Sequence, residues 1–67
     1  MKVKNLSFDR NGEFRKSAFI GGVWYDIVIY RVGRRFKKFI KKVGSEFPIC
    51  DAWISANQEV GLTLDCF

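Results

Sequence analysis

Arg31-Val32-Gly33-Arg34-Arg35-Phe36-Lys37-Lys38-Phe39-Ile40-Lys41-Lys42 is the stretch on which the fold turns. It holds seven bases and no acid. Val32, Phe36, Phe39, Ile40 and Val43 follow the i, i+4, i+7 spacing that gathers apolar side chains on one face of a helix. At 100° per residue these five fall within about 80° of one another. Arg34, Arg35, Lys37, Lys38, Lys41 and Lys42 cover the opposite side. The spacing therefore predicts an amphipathic helix over 33–43. Gly44 suits its C-cap, and Pro48 prevents its continuation.

Upstream the period changes to two. Val23-Trp24-Tyr25-Asp26-Ile27-Val28-Ile29-Tyr30-Arg31-Val32 is β-branched and aromatic almost throughout, which predicts a strand. Tyr25, Ile27 and Ile29 lie on one face; Trp24, Val28, Tyr30 and Val32 lie on the other. A strand apolar on both faces belongs in mid-sheet with cover on both sides. Gly21-Gly22 makes a tight turn before it. Asn11-Gly12, which accepts positive φ at low cost, marks another turn between strands near 2–9 and 13–20. Downstream, Val60, Leu62, Leu64 and Cys66 alternate, which favours a hairpin of strands near 49–56 and 60–67. A helix from Pro48 to Ala56 is the alternative there. A three-residue loop sets Ala56 opposite Val60, Ala52 opposite Leu64 and Cys50 opposite Cys66. Directly opposed β-carbons lie about 4.5–5.5 Å apart, close to disulfide reach. With no export signal in view, two buried thiols are the expectation.

These elements define an α+β fold. The order is β-β-β-α-β-β, a small antiparallel sheet with one amphipathic helix packed on one face. Residues 1–67 make a single small basic domain. One helix covers only one face of a sheet, so the other, with Trp24, Val28 and Tyr30, needs a partner. A second copy of the chain is the simplest, making a homo-oligomer. Curling into a small barrel plugged by the helix is the other solution.

The inventory excludes most chemistry. There is no histidine, which removes the commonest general base and zinc ligand. Two cysteines alone do not complete a structural zinc site. Seven scattered carboxylates form no evident catalytic pair. The glycine doublet lacks the lysine and hydroxyl residue of a phosphate-cradling loop. The chain reads as non-enzymatic, with no cofactor. No apolar run approaches the roughly 18 residues of a membrane span. The N-terminal stretch has no apolar core of a signal peptide, so a cytoplasmic location is expected.

What remains is charge. Residues 1–44 carry twelve bases against three acids, or +9, and residues 45–67 carry four acids and no base, or −4, giving the net +5. That split predicts one basic face. Its residues are Arg31, Arg34, Arg35, Lys37, Lys38, Lys41 and Lys42. Like charges at i, i+3 and i+4 cost a helix stability unless an anionic partner binds. The expectation is a small non-catalytic binding module that contacts nucleic-acid backbone through this helix face. No Asn, Gln or Ser lies between 31 and 44 to read bases, so no sequence specificity is expected. Arg10, Arg15 and Lys16 extend the patch or blunt an edge strand. Trp24, Tyr25 and Tyr30 either stack bases or pack in a core or dimer, packing being favoured; Trp53 reads as core. The alternative function is a protein-interaction module or inhibitor that binds an acidic surface on a partner, as small proteins of mobile elements do.

Overall fold

The computed structural model describes every residue except Leu62, Thr63, Asp65 and Phe67. It is a four-stranded antiparallel meander: β1 (Glu13–Ile20), β2 (Val23–Val32), β3 (Arg35–Lys42) and β4 (Pro48–Ile54), in sheet order β1-β2-β3-β4. The other regular element is a single 3-10 turn over Val3–Asn5.

The turns follow from their glycines. Ile20 pairs with Val23 across Gly21-Gly22, whose φ values of 60° and 80° are the two positive angles of a type I′ hairpin. Val32 pairs with Arg35, which leaves Gly33-Arg34 as a two-residue loop. Gly33 has φ 62° and Arg34 is not positive, the pattern of a type II′ turn. Both turns match the right-handed twist of their strands.

The helix expected over 33–43 is therefore absent, and the α+β class is corrected to an all-antiparallel sheet without a helix. The physical reason lies in the charges. A helix would set Arg34 near Lys38, Lys37 near Lys41 and Lys38 near Lys42, each pair repelling by about 0.2–0.5 kcal/mol. It would also start without a Ser, Thr, Asp or Asn cap. In the strand these bases divide between two faces. Lys41 stands opposite Asp26, and the Lys37 ammonium lies 2.9 Å from the Asp51 carboxylate on β4. The apolar side chains divide too. Phe36 and Ile40 join the core, while Phe39 goes to the other face.

One face of the sheet carries two adjoining clusters. Ala18, Ile27, Ile40 and Cys50 form the first, with Ile20, Tyr25, Ala52, Leu64 and Cys66 against them. Val3, Ile29 and Phe36 form the second, with Leu6, Phe8, Phe14, Ile54, Ala56 and Val60. The chain's own end segments give the cover expected of the helix. Val3 is 1% exposed, and its turn is tied to the tail by Val3 N–H to Gln58 C=O (2.9 Å), Lys4 N–H to Ala56 C=O (3.0 Å) and Val60 N–H to Met1 C=O (2.9 Å). Residues 2–9 are thus not a strand; only Lys2 bridges, to Glu59. Gly12 is needed where it stands. Its φ is 75°, and a β-carbon there would meet the Arg31 carbonyl oxygen at 2.9 Å.

After β4 the described residues form no further strand; the expected strand 60–67 falls partly on Leu62, Thr63, Asp65 and Phe67, which lie outside them. Ala52 and Leu64 both pack against the first cluster, and Ala56 and Val60 both pack against the second. Cys50 and Cys66 are joined in a disulfide with their α-carbons 5.3 Å apart, which corrects the expectation of two thiols.

Candidate binding face

Strand alternation decides what the uncovered face presents. From β1 come Glu13, Arg15, Ser17 and Phe19. From β2 come Trp24, Asp26, Val28, Tyr30 and Val32. From β3 come Arg35, Lys37, Phe39 and Lys41, and from β4 Asp51 and Trp53. No segment of the described chain is packed over them, because both core clusters lie on the opposite side. The face expected on β2 for Trp24, Val28 and Tyr30 is this one. Val28 is only 2% exposed, screened by its neighbours, whereas Trp24 is 53% exposed and Phe19 60%.

Five aromatic rings stand on the face in three places. Phe19 and Trp24 form a tilted pair at one end, with ring centroids 5.1 Å apart. Tyr30 and Phe39 meet edge to face near the middle at 6.3 Å. Trp53 lies towards the other end, with the Arg35 guanidinium 3.8 Å from its ring centroid and the Lys37 ammonium at 5.3 Å. From Trp24 to Val32 the face runs about 26 Å along β2. Trp53 is thus a half-exposed surface ring and not a core residue. Tyr25 takes the opposite course and packs in the first core cluster.

The seven bases expected on one face are not together. Arg35, Lys37 and Lys41 stand on the open face. Arg34 sits at the tip of the β2–β3 turn. Arg31 and Lys42 are exposed at positions of the core-bearing face, and Lys38 on that same face is 5% exposed. A side chain so buried cannot reach a ligand, and its register between Ile29 and Ala52 explains why it is buried. The helical reading missed Phe39 and Trp53 as members of this face. For Phe39 the signal is the glycine of Gly33-Arg34 read as a hairpin turn, which converts 35–42 to a period of two.

The charge of the face is nearly balanced. Four cations (Arg15, Arg35, Lys37, Lys41) face three acids (Glu13, Asp26, Asp51). Arg15 Nη2 donates to Glu13 Oε1 at 2.7 Å, and Lys37 holds Asp51. A shallow depression lined by Arg15, Lys16, Ser17, Asp26 and Val28 opens at the β1 side. Lys16 and Arg15 also sit on an edge strand, where cations discourage pairing with a further strand. Among the described residues no three His, Cys, Asp or Glu side chains gather as a metal site. Among them, too, no helix is long and apolar enough to cross a membrane. No protein-family model, curated protein or solved structure matches the chain.

Proposed function

We propose that the chain is a non-catalytic module that binds single-stranded nucleic acid across the open face of its sheet. The observation that carries this reading is the alternation of aromatic rings and cations on an uncovered sheet, with the Arg35 guanidinium 3.8 Å from the Trp53 ring centroid. Every base has a π-face, so rings spaced along the face hold a strand without reading its sequence. Guanidinium planes stack bases as well as pairing with phosphate. The length of the face suits a strand of about four nucleotides or more. The cations Arg15 and Lys41 stand at levels between the Phe19–Trp24 pair and Tyr30, and Arg35 lies on Trp53 at the end of the face, where the backbone of a stacked strand would pass. A duplex offers no unstacked bases to such rings, so single strands are preferred over duplex.

A second reading has its own support. The three acids on the face offset its cations, and Trp, Tyr and Arg are the residues that anchor protein interfaces. A second copy or a protein partner seated on Trp24, Val28 and Tyr30 would use the same surface.

Titration of labelled mixed-sequence single strands and duplex, with tryptophan fluorescence as a second signal, separates the two. Binding of single strands in the micromolar range, with quenching of tryptophan emission and weaker binding to duplex, is the expected result. A concentration-dependent dimer with no affinity for any strand at low salt overturns it in favour of the second reading.

A further inference from the structure

The open face holds three carboxylates, and two of them are taken. Arg15 donates to Glu13 at 2.7 Å, and the Lys37 ammonium lies 2.9 Å from Asp51. Asp26 forms no ion pair, although Lys41 stands opposite it on β3. Its side chain has one long contact, the Ser17 hydroxyl donating to Oδ1 at 3.5 Å. The second carboxylate oxygen accepts no hydrogen bond among the described residues.

Asp26 also lines the depression at the β1 side of this face. The register builds the hollow. Ser17 pairs with Asp26, two short side chains, and Arg15 pairs with Val28 beside them. The next pair on this face towards the Gly21-Gly22 turn is Phe19 with Trp24, whose rings stand 5.1 Å apart and are both more than half exposed. The hollow measures about 160 Å³. That is well beyond the roughly 10–15 Å³ that one water needs. An acceptor without a donor thus opens into a hollow beside a stacking platform.

We propose that Asp26 selects guanine at one position of a strand stacked on the Phe19–Trp24 pair, with the base edge received in this hollow. This rests on the reading of the open face as a single-strand site. A carboxylate only accepts hydrogen bonds and repels phosphate, so what it holds on a DNA strand is a base donor. Unpaired strands expose the Watson–Crick edges of their bases. Guanine alone sets two donors side by side on that edge, N1–H and N2–H, which the two oxygens of a carboxylate accept together. Adenine and cytosine set one donor beside an acceptor, and thymine sets its N3–H between two carbonyls. Each of these turns a lone pair towards a carboxylate oxygen. Arg15 on β1 and Lys41 on β3 flank Asp26 on either side, where they meet the phosphates beside the guanine. The rings hold any base. The carboxylate chooses among them.

The test uses the whole chain and short oligothymidine DNA strands that carry one central guanine, inosine or adenine. Inosine differs from guanine only in lacking the N2 amino group. Affinities come from fluorescence anisotropy, with tryptophan quenching as a second signal. The guanine strand is expected to bind about tenfold tighter than the adenine strand, with inosine between them. This comparison needs no variant. In D26N, with its sheet retained by circular dichroism, the preference should vanish because the guanine strand alone loses affinity. W24A should weaken all three strands. A preference that survives in D26N overturns the assignment to Asp26. A carboxylate that merely repels phosphate gives another result: D26N then raises the affinity of every strand alike, which also overturns the proposal. Equal affinity for the three strands, with W24A still weakening them, overturns the guanine selection and leaves the single-strand reading intact. Binding of an arginine-rich peptide that D26N abolishes, without affinity for any strand, overturns both and gives the carboxylate to a protein partner. Absence of binding by every probe overturns both proposals.

Discussion

Trp53 carries two cations on its ring and still shows nearly half its surface to solvent. It is the residue at which stacking and charge coincide. Replacing it by alanine should weaken single-strand binding by about 1–3 kcal/mol, measured by anisotropy, with the β-sheet circular dichroism retained. An unchanged affinity would remove Trp53 from the site. Lys38 is its opposite, a cation on the core-bearing side of the sheet at 5% exposure. Lys38→Ala should lower stability by about 1–3 kcal/mol in urea titration and leave the affinity of the folded protein unchanged. If Lys38→Ala and Lys41→Ala weakened binding equally at full stability, the two-faced division of the bases would be wrong. Gly12 tests the backbone. Its φ is positive, and an added β-carbon would stand 2.9 Å from the Arg31 carbonyl oxygen. Gly12→Ala should therefore cost about 2 kcal/mol, read as a lower denaturant midpoint.

At the scale of elements the lesson lies in two segments of contrasting legibility. Residues 23–32 read as a strand because their β-branched and aromatic side chains populate a pleated surface, and 13–20 because the turn signals Asn11-Gly12 and Gly21-Gly22 bound them. Residues 35–42 carry apolar side chains at 36, 39 and 40, a spacing a helix and a strand both accommodate. Only neighbours decide between them. β2 offers Ile27 and Ile29 to the core side, and its Asp26 to Lys41; β4 offers Asp51 to Lys37. The basic cluster was therefore legible as a composition but not as a surface, since a change of period moves alternate lysines to opposite sides. The tail was half legible. Its facing brought Cys50 to Cys66, but its place as a cover strapped to residues 1–6 depends on Val3 entering the second cluster. The bridge closes a loop with a sequence separation of 16 residues. Reduction, or Cys66→Ser, should lower unfolding free energy by about 2–4 kcal/mol, measured in urea with and without reductant. No change on reduction would show that apolar packing alone holds the tail.

On the scale of the whole molecule, the sheet is a partition between a covered side and an open one. The covered side is closed by the chain's own ends, so the open side is what the molecule has to offer a partner. Charge then sets the strength and range of that contact. If Arg15, Arg35 and Lys41 meet phosphates, the logarithm of the single-strand binding constant should fall with the logarithm of salt at a slope of about −2. A slope near zero across the same salt range would mean that apolar contact dominates, as with a protein partner. The sequence by itself determined the strands over 13–20 and 23–32, the two faces of β2, the concentration of base before residue 45 and the absence of histidine chemistry, because each depends on residue type or on contacts within a hairpin. Only the tertiary structure decided that residues 35–42 are extended, that the chain ends cover the core, and that rings and cations share an open face. Those outcomes depend on pairing between strands and on packing between segments distant in sequence, which no local period can specify.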